Sequence, residues 1–545
     1  MTTLQIREPR SRVPSLSPSE PRLIMIRILR PTSLLLLGAA LAACSDAPAP
    51  ITGPSRSTGA PVFAAAQGGG NGKSSLDLVE EDYAAGALDK ENANRYRAYA
   101  VLAPEKLPQK YKSAAIGKDA TESMVRQALE WDGLSKSTKQ EILELRANGF
   151  ANMKNAFETA HFVLHYSTVS ASDAVPALDA SGIRGVPDYI EIAARSWEDI
   201  WQRQVVELGY PAPKGVTSQN KFHVYFDKIP YYGYAMPTNV ELEGVSPVAV
   251  GTASAFIVIN NDFYGFPPND EDRTGTEVIR SGALKVTQAH EFMHALQFAI
   301  NVYGSGWLME SHATWAEDAV YDGINDWHWY INNFLATPEF PIFNRYLYGA
   351  AYFQNYLSER YGVDVMRQIW LAHRTRTAPD AIRDVALGGS WEAIKAFAPA
   401  EYLHDISDFT TDQPSIVESI RPLRSLTRAT HSSYPVSVVV PASTNREPNR
   451  APYGLGANFV DFTNASGSLA VSFDGTDDFA WRAYVIATPA GGGKTAVLPV
   501  ALDGGSAGSI TVDGMGTRWS KLTLVVTIAD RPGVAVPYSY GAVSR

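Results

Sequence analysis

The residues best suited to chemistry are two histidines that flank a glutamate in the sequence HEFMH, residues 290–294. The surrounding segment, residues 278–298, has the apolar periodicity of a helix. Residues four apart share a helix face, so His290 and His294 project side by side and can bind one Zn²⁺ ion. Glu291 lies one position round the helix, where it can take a proton from a metal-bound water without being a ligand. The spacing therefore predicts a zinc site with its own general base.

A catalytic zinc usually has three protein ligands and one open position. The single cysteine excludes a cysteine-type site, so the third ligand must be a histidine or a carboxylate. One known extension of this zinc motif has a glycine three residues and a ligating histidine six residues after the second histidine. This chain has Gln297 and Ile300 at those positions, so that extension is excluded. A Trp-rich segment downstream offers three candidates: Glu310, Glu317 and His312. Glu310 and Glu317 are seven residues apart and share a helix face, so Glu317 can instead accept a hydrogen bond from a ligating imidazole.

The HEFMH segment followed by WLMESHATWAED, residues 307–318, resembles the gluzincins, HExxH peptidases of the zincin clan, and is akin to secreted peptidase families of bacteria. The resemblance covers residues 157–410 and implies an α+β, thermolysin-like catalytic domain. It also implies that His290, His294 and Glu310 are the ligands of one catalytic Zn²⁺. One departure is that fifteen residues separate His294 from Glu310, fewer than in the best-known gluzincins.

The resemblance extends to YGAAY, residues 348–352, where such enzymes place a tyrosine whose hydroxyl stabilises the oxyanion. It implies this role for Tyr348, with Tyr352 and Tyr346 as alternatives, while simple packing of these tyrosines stays open. Aminopeptidases of the clan carry a glutamate in a segment that is GYAMP here, residues 233–237, without that glutamate. Nothing therefore indicates an aminopeptidase.

The function implied is hydrolysis of a peptide bond by metal-activated water, as an endopeptidase acting outside the cytoplasm on a protein or peptide substrate. We expect the predicted strand at residues 255–260 to be a sheet edge along which an extended substrate pairs. Two other functions stay open. One is an inactive envelope lipoprotein that binds a protein or a polysaccharide, and the other is a zinc amidase acting on cell-wall peptides.

The N-terminus predicts export. Two arginines precede an apolar run at residues 34–43, which is too short to span a bilayer, and residues 1–43 read as a signal peptide. Met25 is an alternative start, because the residues before it are polar and rich in proline. The run ends in LAAC, which resembles a bacterial lipobox and implies cleavage before Cys44 and lipidation of its thiol. The protein is then an exported bacterial lipoprotein of the periplasm, outer membrane or cell surface, held to the membrane by its lipid.

Composition divides the rest of the chain into four parts. Residues 44–74 form a flexible tether rich in Ala, Gly, Pro and Ser, and residues 75–150 form a helical N-terminal region that is either a propeptide or a supporting subdomain. Residues 151–415 are the zincin-like domain. Residues 430–545 contain short strands separated by turn residues, which predicts an all-β sandwich. The fold class predicted is therefore multidomain, with an α+β catalytic domain between these two flanking regions.

Charge and cysteine content exclude other classes. The 545 residues include 47 basic and 57 acidic side chains, a formal net charge of −10, without a Lys/Arg block that could follow a phosphate backbone. Nucleic acid is therefore excluded as a partner. With one cysteine, an intramolecular disulfide cannot form.

Overall fold

The computed structural model describes residues 72–170, 173–245, 248–343, 347–405, 425–442, 450–529 and 534–545. The predicted signal peptide, Cys44, most of the tether and Tyr346 lie outside these ranges. Within them, no helix combines the length and the apolar character needed to cross a membrane.

The described ranges contain twelve α-helices and fifteen β-strands. The helices are α1 (Ser75–Ala84), α2 (Lys90–Leu102), α3 (Thr121–Glu130), α4 (Lys136–Phe150), α5 (Asp188–Trp201), α6 (Ser281–Asn301), α7 (Gly306–Tyr321), α8 (His328–Leu335), α9 (Ala351–Tyr361), α10 (Asp364–Ala372), α11 (Ala378–Val385) and α12 (Phe397–Leu403). The strands are β1 (Gly117–Asp119), β2 (Asn155–Glu158), β3 (Phe162–Tyr166), β4 (Phe222–Asp227), β5 (Tyr231–Gly244), β6 (Val250–Asn260), β7 (Ala429–His431), β8 (Val436–Val440), β9 (Ala457–Thr463), β10 (Gly467–Gly475), β11 (Trp481–Pro489), β12 (Ala496–Val500), β13 (Ala507–Met515), β14 (Trp519–Ile528) and β15 (Tyr538–Ser544).

The first sheet has six strands in the order β1-β5-β6-β4-β3-β2. β6 pairs antiparallel with β5 on one side and parallel with β4 on the other. The expectation that residues 255–260 form a sheet edge is therefore wrong. The sheet continues beyond β6 with β5, and the three-residue β1 then pairs parallel with β5.

Two long helices, α6 and α7, carry the HEFMH and WLMESHATWAED segments. α6 packs on β5 and β6 and against α5 and α7. Its side chains are buried on nearly every face, and the buried set includes polar residues such as Thr287, Gln288 and Gln297. The Asp272 carboxylate accepts hydrogen bonds from the first turn of α6, from the Gly282 amide at 3.0 Å and the Ala283 amide at 2.7 Å. This carboxylate satisfies two amides that have no partner within the helix.

The N-terminal region is built on one face of the same sheet. Helices α1 to α3 share a hydrophobic core with strands β5 and β6, to which Leu76, Met124, Tyr231, Met236 and Val258 contribute buried side chains. The region is not purely helical, because β1 leaves it to join the sheet. Residues 117–121 are thereby brought against α6, next to the HEFMH segment.

The C-terminal part of the chain is rich in β structure. Nine strands, β7 to β15, surround a core of their own that includes Leu469, Trp481 and Leu524. Most pairings are antiparallel, and β13 meets β14 at a single pair, Met515 with Trp519. A multidomain α+β architecture with a β-rich C-terminal region is therefore confirmed.

Candidate metal centre

Four side chains from three separate elements converge on one buried point. His290 and His294 come from α6, Glu310 from α7, and Asp119 from the end of β1. One ligand atom of each lies within 4.8 Å of the ligand atoms of the others. The four side chains are at most 2% exposed. Two imidazoles and two carboxylates form a donor set that can hold a metal ion.

The distances suit a small tetrahedral ion. His290 Nε2 lies 3.3 Å from Glu310 Oε2 and 4.0 Å from Asp119 Oδ2. His294 Nε2 lies 3.5 Å from Asp119 Oδ2 and 3.6 Å from Glu310 Oε2. Ligands bound to zinc at about 2.0–2.1 Å in a tetrahedron are about 3.3 Å apart. Little movement would bring these four atoms to that spacing.

Two atoms of the cluster residues are buried polar atoms without a hydrogen-bond partner among the described residues: His294 Nε2, which faces the centre, and Glu310 Oε1, the second oxygen of that carboxylate. Buried polar atoms are nearly always paired, and an orphaned one calls for an explanation such as an ion. Both atoms belong to the cluster. The residues present therefore fit a metal ion.

The outer nitrogen of each imidazole has a hydrogen-bond partner. His290 Nδ1 lies 2.7 Å from Glu317 Oε1, and His294 Nδ1 lies 2.8 Å from Gln297 Oε1. Gln297 is itself held, because its amide nitrogen donates to the Met309 carbonyl at 3.1 Å. In the neutral form of each ring Nδ1 therefore donates, and Nε2 keeps a lone pair that faces the centre.

Glu317 belongs to a buried ionic network. Lys118 Nζ donates to Glu317 Oε2 at 3.0 Å and to Asp326 Oδ2 at 2.8 Å, and it lies over the rings of Tyr232 and Tyr330. Burial raises the pKa of Glu317 to about 7, although the Lys118 charge opposes the rise. The lysine thus favours the ionised carboxylate that the His290 N–H needs as its acceptor.

Glu291 lies beside the cluster and is not part of it. Its Oε2 accepts a hydrogen bond from the Thr121 hydroxyl at 3.0 Å, and that hydroxyl accepts one from the Ala235 amide at 2.8 Å. A Cβ added to Gly233 on β5 would lie 3.0 Å from Glu291 Cγ and Oε1. Burial, and then the charge of Asp119, raises the pKa of Glu291 well above its usual range. The carboxyl is therefore suited to holding and releasing a proton.

The charge around the histidines is strongly negative. Burial would lower the pKa of His294, but the Glu310 and Asp119 carboxylates raise it well above its usual range. A buried cluster of carboxylates favours a positive charge at its centre. A divalent cation would supply that charge.

Of the tyrosines, Tyr348 lies near the cluster. Its ring centroid is 6.1 Å from that of His290 and 5.2 Å from that of Tyr330, and the side chain is buried. Burial, then the negative charge of Glu310, raises the pKa of Tyr348 well above its usual range, so its hydroxyl stays protonated and able to donate. Tyr352 does not face the site, since its hydroxyl contacts the Glu401 carbonyl.

His312, a rival third ligand, points away from the cluster. Its Nε2 lies 2.6 Å from the Tyr210 hydroxyl, and burial lowers its pKa to about 3. Glu317, the other rival, contacts the outer nitrogen of His290 and is not part of the convergent set.

Sequence reasoning missed Asp119, Lys118 and Thr121. They precede His290 by about 170 positions and carry no motif of their own. Only the pairing of β1 with β5 brings them to the site. No local signal could have identified them.

The chain was compared with protein families and with curated proteins. The model of a family of unknown function (DUF6055) matches residues 120–491. No curated protein matches the chain.

The solved structures to which the chain has a weak likeness include the following three. One is the pre-peptidase C-terminal domain of a collagenase from Bacillus anthracis, with 12% identity over 22% of this chain and 97% of that chain and a TM-score of 0.16. Another is an exo-beta-1,3-galactanase from Phanerochaete chrysosporium, with 14% identity over 20% of this chain and 26% of that chain and a TM-score of 0.12. The third is a family GH115 4-O-methyl-alpha-glucuronidase, with 10% identity over 49% of this chain and 38% of that chain and a TM-score of 0.14. Likenesses at these scores carry no argument about function.

Proposed function

The chain belongs to a family of unknown function, and we propose from its metal centre that it is a zinc-dependent peptidase of the gluzincin type. It hydrolyses peptide bonds with water, without a covalent intermediate. In this proposal the central part of the chain is a zincin-like catalytic domain, and the β-rich C-terminal part is a sandwich.

One observation carries the proposal. Two imidazoles from one helical turn and Glu310 from the next helix converge on a buried point, with Glu291 beside them and not among the ligands. A metal site that serves only to bind or to stabilise has no need of an extra carboxyl at its rim. The mixture of imidazole and carboxylate at these distances favours zinc over the all-oxygen sites of calcium or magnesium.

Each residue of the site has a separate role in the proposed reaction. A bound zinc ion would supply a Lewis acid and lower the pKa of a water molecule toward about 7. The Glu291 carboxylate takes the proton of the attacking water and gives it to the leaving amine. The Tyr348 hydroxyl is the candidate donor to the oxyanion. Glu317 holds His290 in the orientation and tautomer that ligation needs.

The substrate proposed is a protein or peptide outside the cytoplasm. The predicted signal peptide at residues 1–43 and the lipobox-like sequence that ends at Cys44 support export and anchoring as a lipoprotein. An endopeptidase is favoured over an aminopeptidase because the GYAMP segment lacks the amine-binding glutamate.

A second candidate function is a structural metal site in a binding lipoprotein. The observation that favours it is Asp119, since a fourth protein ligand closes the coordination sphere as in structural zinc sites. This candidate leaves Glu291 without a role.

The test is casein cleavage by zinc-loaded protein, in the wild type and in an Asp119→Ala background. In each background Glu291→Gln is compared with Glu144→Gln, a control on the exposed face of α4. Cleavage that disappears with Glu291→Gln and persists with Glu144→Gln supports the peptidase. Bound zinc without casein cleavage in either background contradicts it, and cleavage of peptidoglycan fragments instead would identify an amidase.

A further inference from the structure

Residues 117–121, here named the strap, run between the sheet edge and the metal cluster. We propose that the strap is an autoinhibitory element: Asp119 fills the fourth coordination position, Thr121 engages Glu291, and the chain is latent until the strap leaves the edge of β5. This inference rests on the proposed peptidase function and identifies the regulation of the same site.

The first contact is with the two histidines of the metal cluster. Asp119 Oδ2 lies 3.5 Å from His294 Nε2 and 4.0 Å from His290 Nε2, on the inner side of both rings. The other oxygen of this carboxylate accepts the Thr121 amide at 2.8 Å, which orients the side chain toward the cluster. With His290, His294 and Glu310, Asp119 brings the number of protein ligands to four. A tetrahedral zinc with four protein ligands has no position for a water molecule.

The second contact is at the base. The Thr121 hydroxyl donates to Glu291 Oε2 at 3.0 Å and is oriented by the Ala235 amide. One oxygen of the carboxylate that must accept a proton is therefore engaged. The same five residues thus occupy both the open metal position and the base.

The third contact covers the sheet edge. β1 pairs with β5 at Tyr231 and Gly233, and Gly233 is the β5 residue that adjoins Glu291. The Gly117 amide donates to the Pro230 carbonyl at 3.1 Å, and the Ala120 amide donates to the Gly233 carbonyl at 3.3 Å. An extended substrate that paired with β5 beside the cluster would need these same backbone groups.

The strap is short and stably closed. A Cβ on Gly117 would lie 2.4 Å from the Tyr231 ring, so only glycine permits this approach to β5. Lys118 holds the strap through buried ion pairs with Glu317 and Asp326, which are costly to separate. Thermal opening is therefore rare, and release requires a cut in the chain or a partner that pulls the strap away.

The residues before the strap suit such a cut. Lys112 and Ala114 are exposed, and residues 112–116 form no helix or strand. Helices α1 to α3 are held on the sheet by their own buried core, so a cut in this link frees the strap on its N-terminal side and leaves the helices in place. A local release avoids exposing the apolar sheet face beneath them.

The experiment uses the full chain loaded with Co²⁺, whose visible absorption reports coordination, and azide as a small ligand for an open position. Wild type, Asp119→Ala, Asp119→Asn and the exposed control Asp132→Ala are titrated with azide and then loaded with zinc and assayed on casein. We expect azide to change the cobalt spectrum of both Asp119 variants and to leave wild type and Asp132→Ala unchanged. Casein cleavage should rise about tenfold or more in the Asp119 variants.

The outcomes separate the two proposals. If azide binds to the wild type as well as to the variants, the strap proposal is wrong, because the fourth coordination position is then already open. Loss of the metal from both Asp119 variants, with the native melting transition retained, also overturns it, since Asp119 is then a required ligand. Azide binding confined to the Asp119 variants, with no cleavage by any protein, supports the closed site and contradicts the peptidase.

Discussion

Lys118 and Glu317 form an ion pair of 3.0 Å in which both side chains are 1% exposed, and Glu317 carries the interaction on to His290. A lysine from the N-terminal region is therefore connected to a ligand on α6 through one carboxylate. Lys118→Met leaves Glu317 and Asp326 without their cation. We expect a loss of about 3–5 kcal/mol in the free energy of unfolding, measured by urea denaturation.

The control for this variant is Lys221→Met, which removes an exposed pair with Glu158. Exposed pairs contribute little, so no measurable change is expected there. Equal stability of the two variants would show that the buried network does not hold the strap.

Glu310 and Glu317 are expected to differ in their effect on zinc binding, because only Glu310 is a proposed ligand. Glu310→Ala removes a ligand atom, whereas Glu317→Ala removes only the acceptor of the His290 N–H. We expect Glu317→Ala to keep one zinc per chain at saturation with affinity about 10–100-fold weaker, and Glu310→Ala to fall below stoichiometric zinc. Elemental analysis and chelator competition measure both. If Glu317→Ala lost more bound zinc than Glu310→Ala, then Glu317 would be the ligand and Glu310 the supporting residue.

The local part of the site could be predicted from the sequence, because helical spacing alone places His290, Glu291 and His294. Glu310 follows within one helix–turn–helix, and the structure brings it to the same point. Asp119 could not be predicted in this way. Its position depends on a strand pairing across more than a hundred residues, which no local pattern encodes.

In the fold, too, individual strands could be predicted from local sequence but their neighbours in the sheet could not. The alternation of Phe162, Leu164 and Tyr166 predicts a strand with one buried face, and all three are buried in β3. The strand at residues 255–260 was also identifiable, but its place in the sheet was not. A buried apolar run is compatible with several neighbours, and the order of strands depends on long-range pairing.

Gly233 offers a test of the base that leaves every ligand in place. Alanine there would put a methyl group 3.0 Å from Glu291 Cγ and Oε1 and from Thr287 Cγ2. We expect Gly233→Ala, in the Asp119→Ala background, to lower casein cleavage about tenfold or more by displacing the carboxylate, with zinc stoichiometry unchanged. Gly323→Ala is the matched control, because its added methyl meets nothing within 4 Å. Cleavage unaffected by Gly233→Ala would mean that the position of Glu291 is unimportant.

Asp227, at the end of β4, gives a pH-dependent prediction away from the metal. Burial, and then the charge of Asp173, raises the pKa of its carboxyl from 3.8 to about 6. A raised acid pKa contributes stability that is fully present below about pH 4 and is lost as the pH rises through about 6. Asp227→Asn removes the buried charge, while its side-chain oxygen can still accept the Lys228 amide. We expect the variant to melt above wild type at pH 7.5, with the gap closing by pH 4. The exposed Asp132→Asn should match wild type throughout, and a gap for Asp227→Asn that widens toward pH 4 would contradict the sign of the shift.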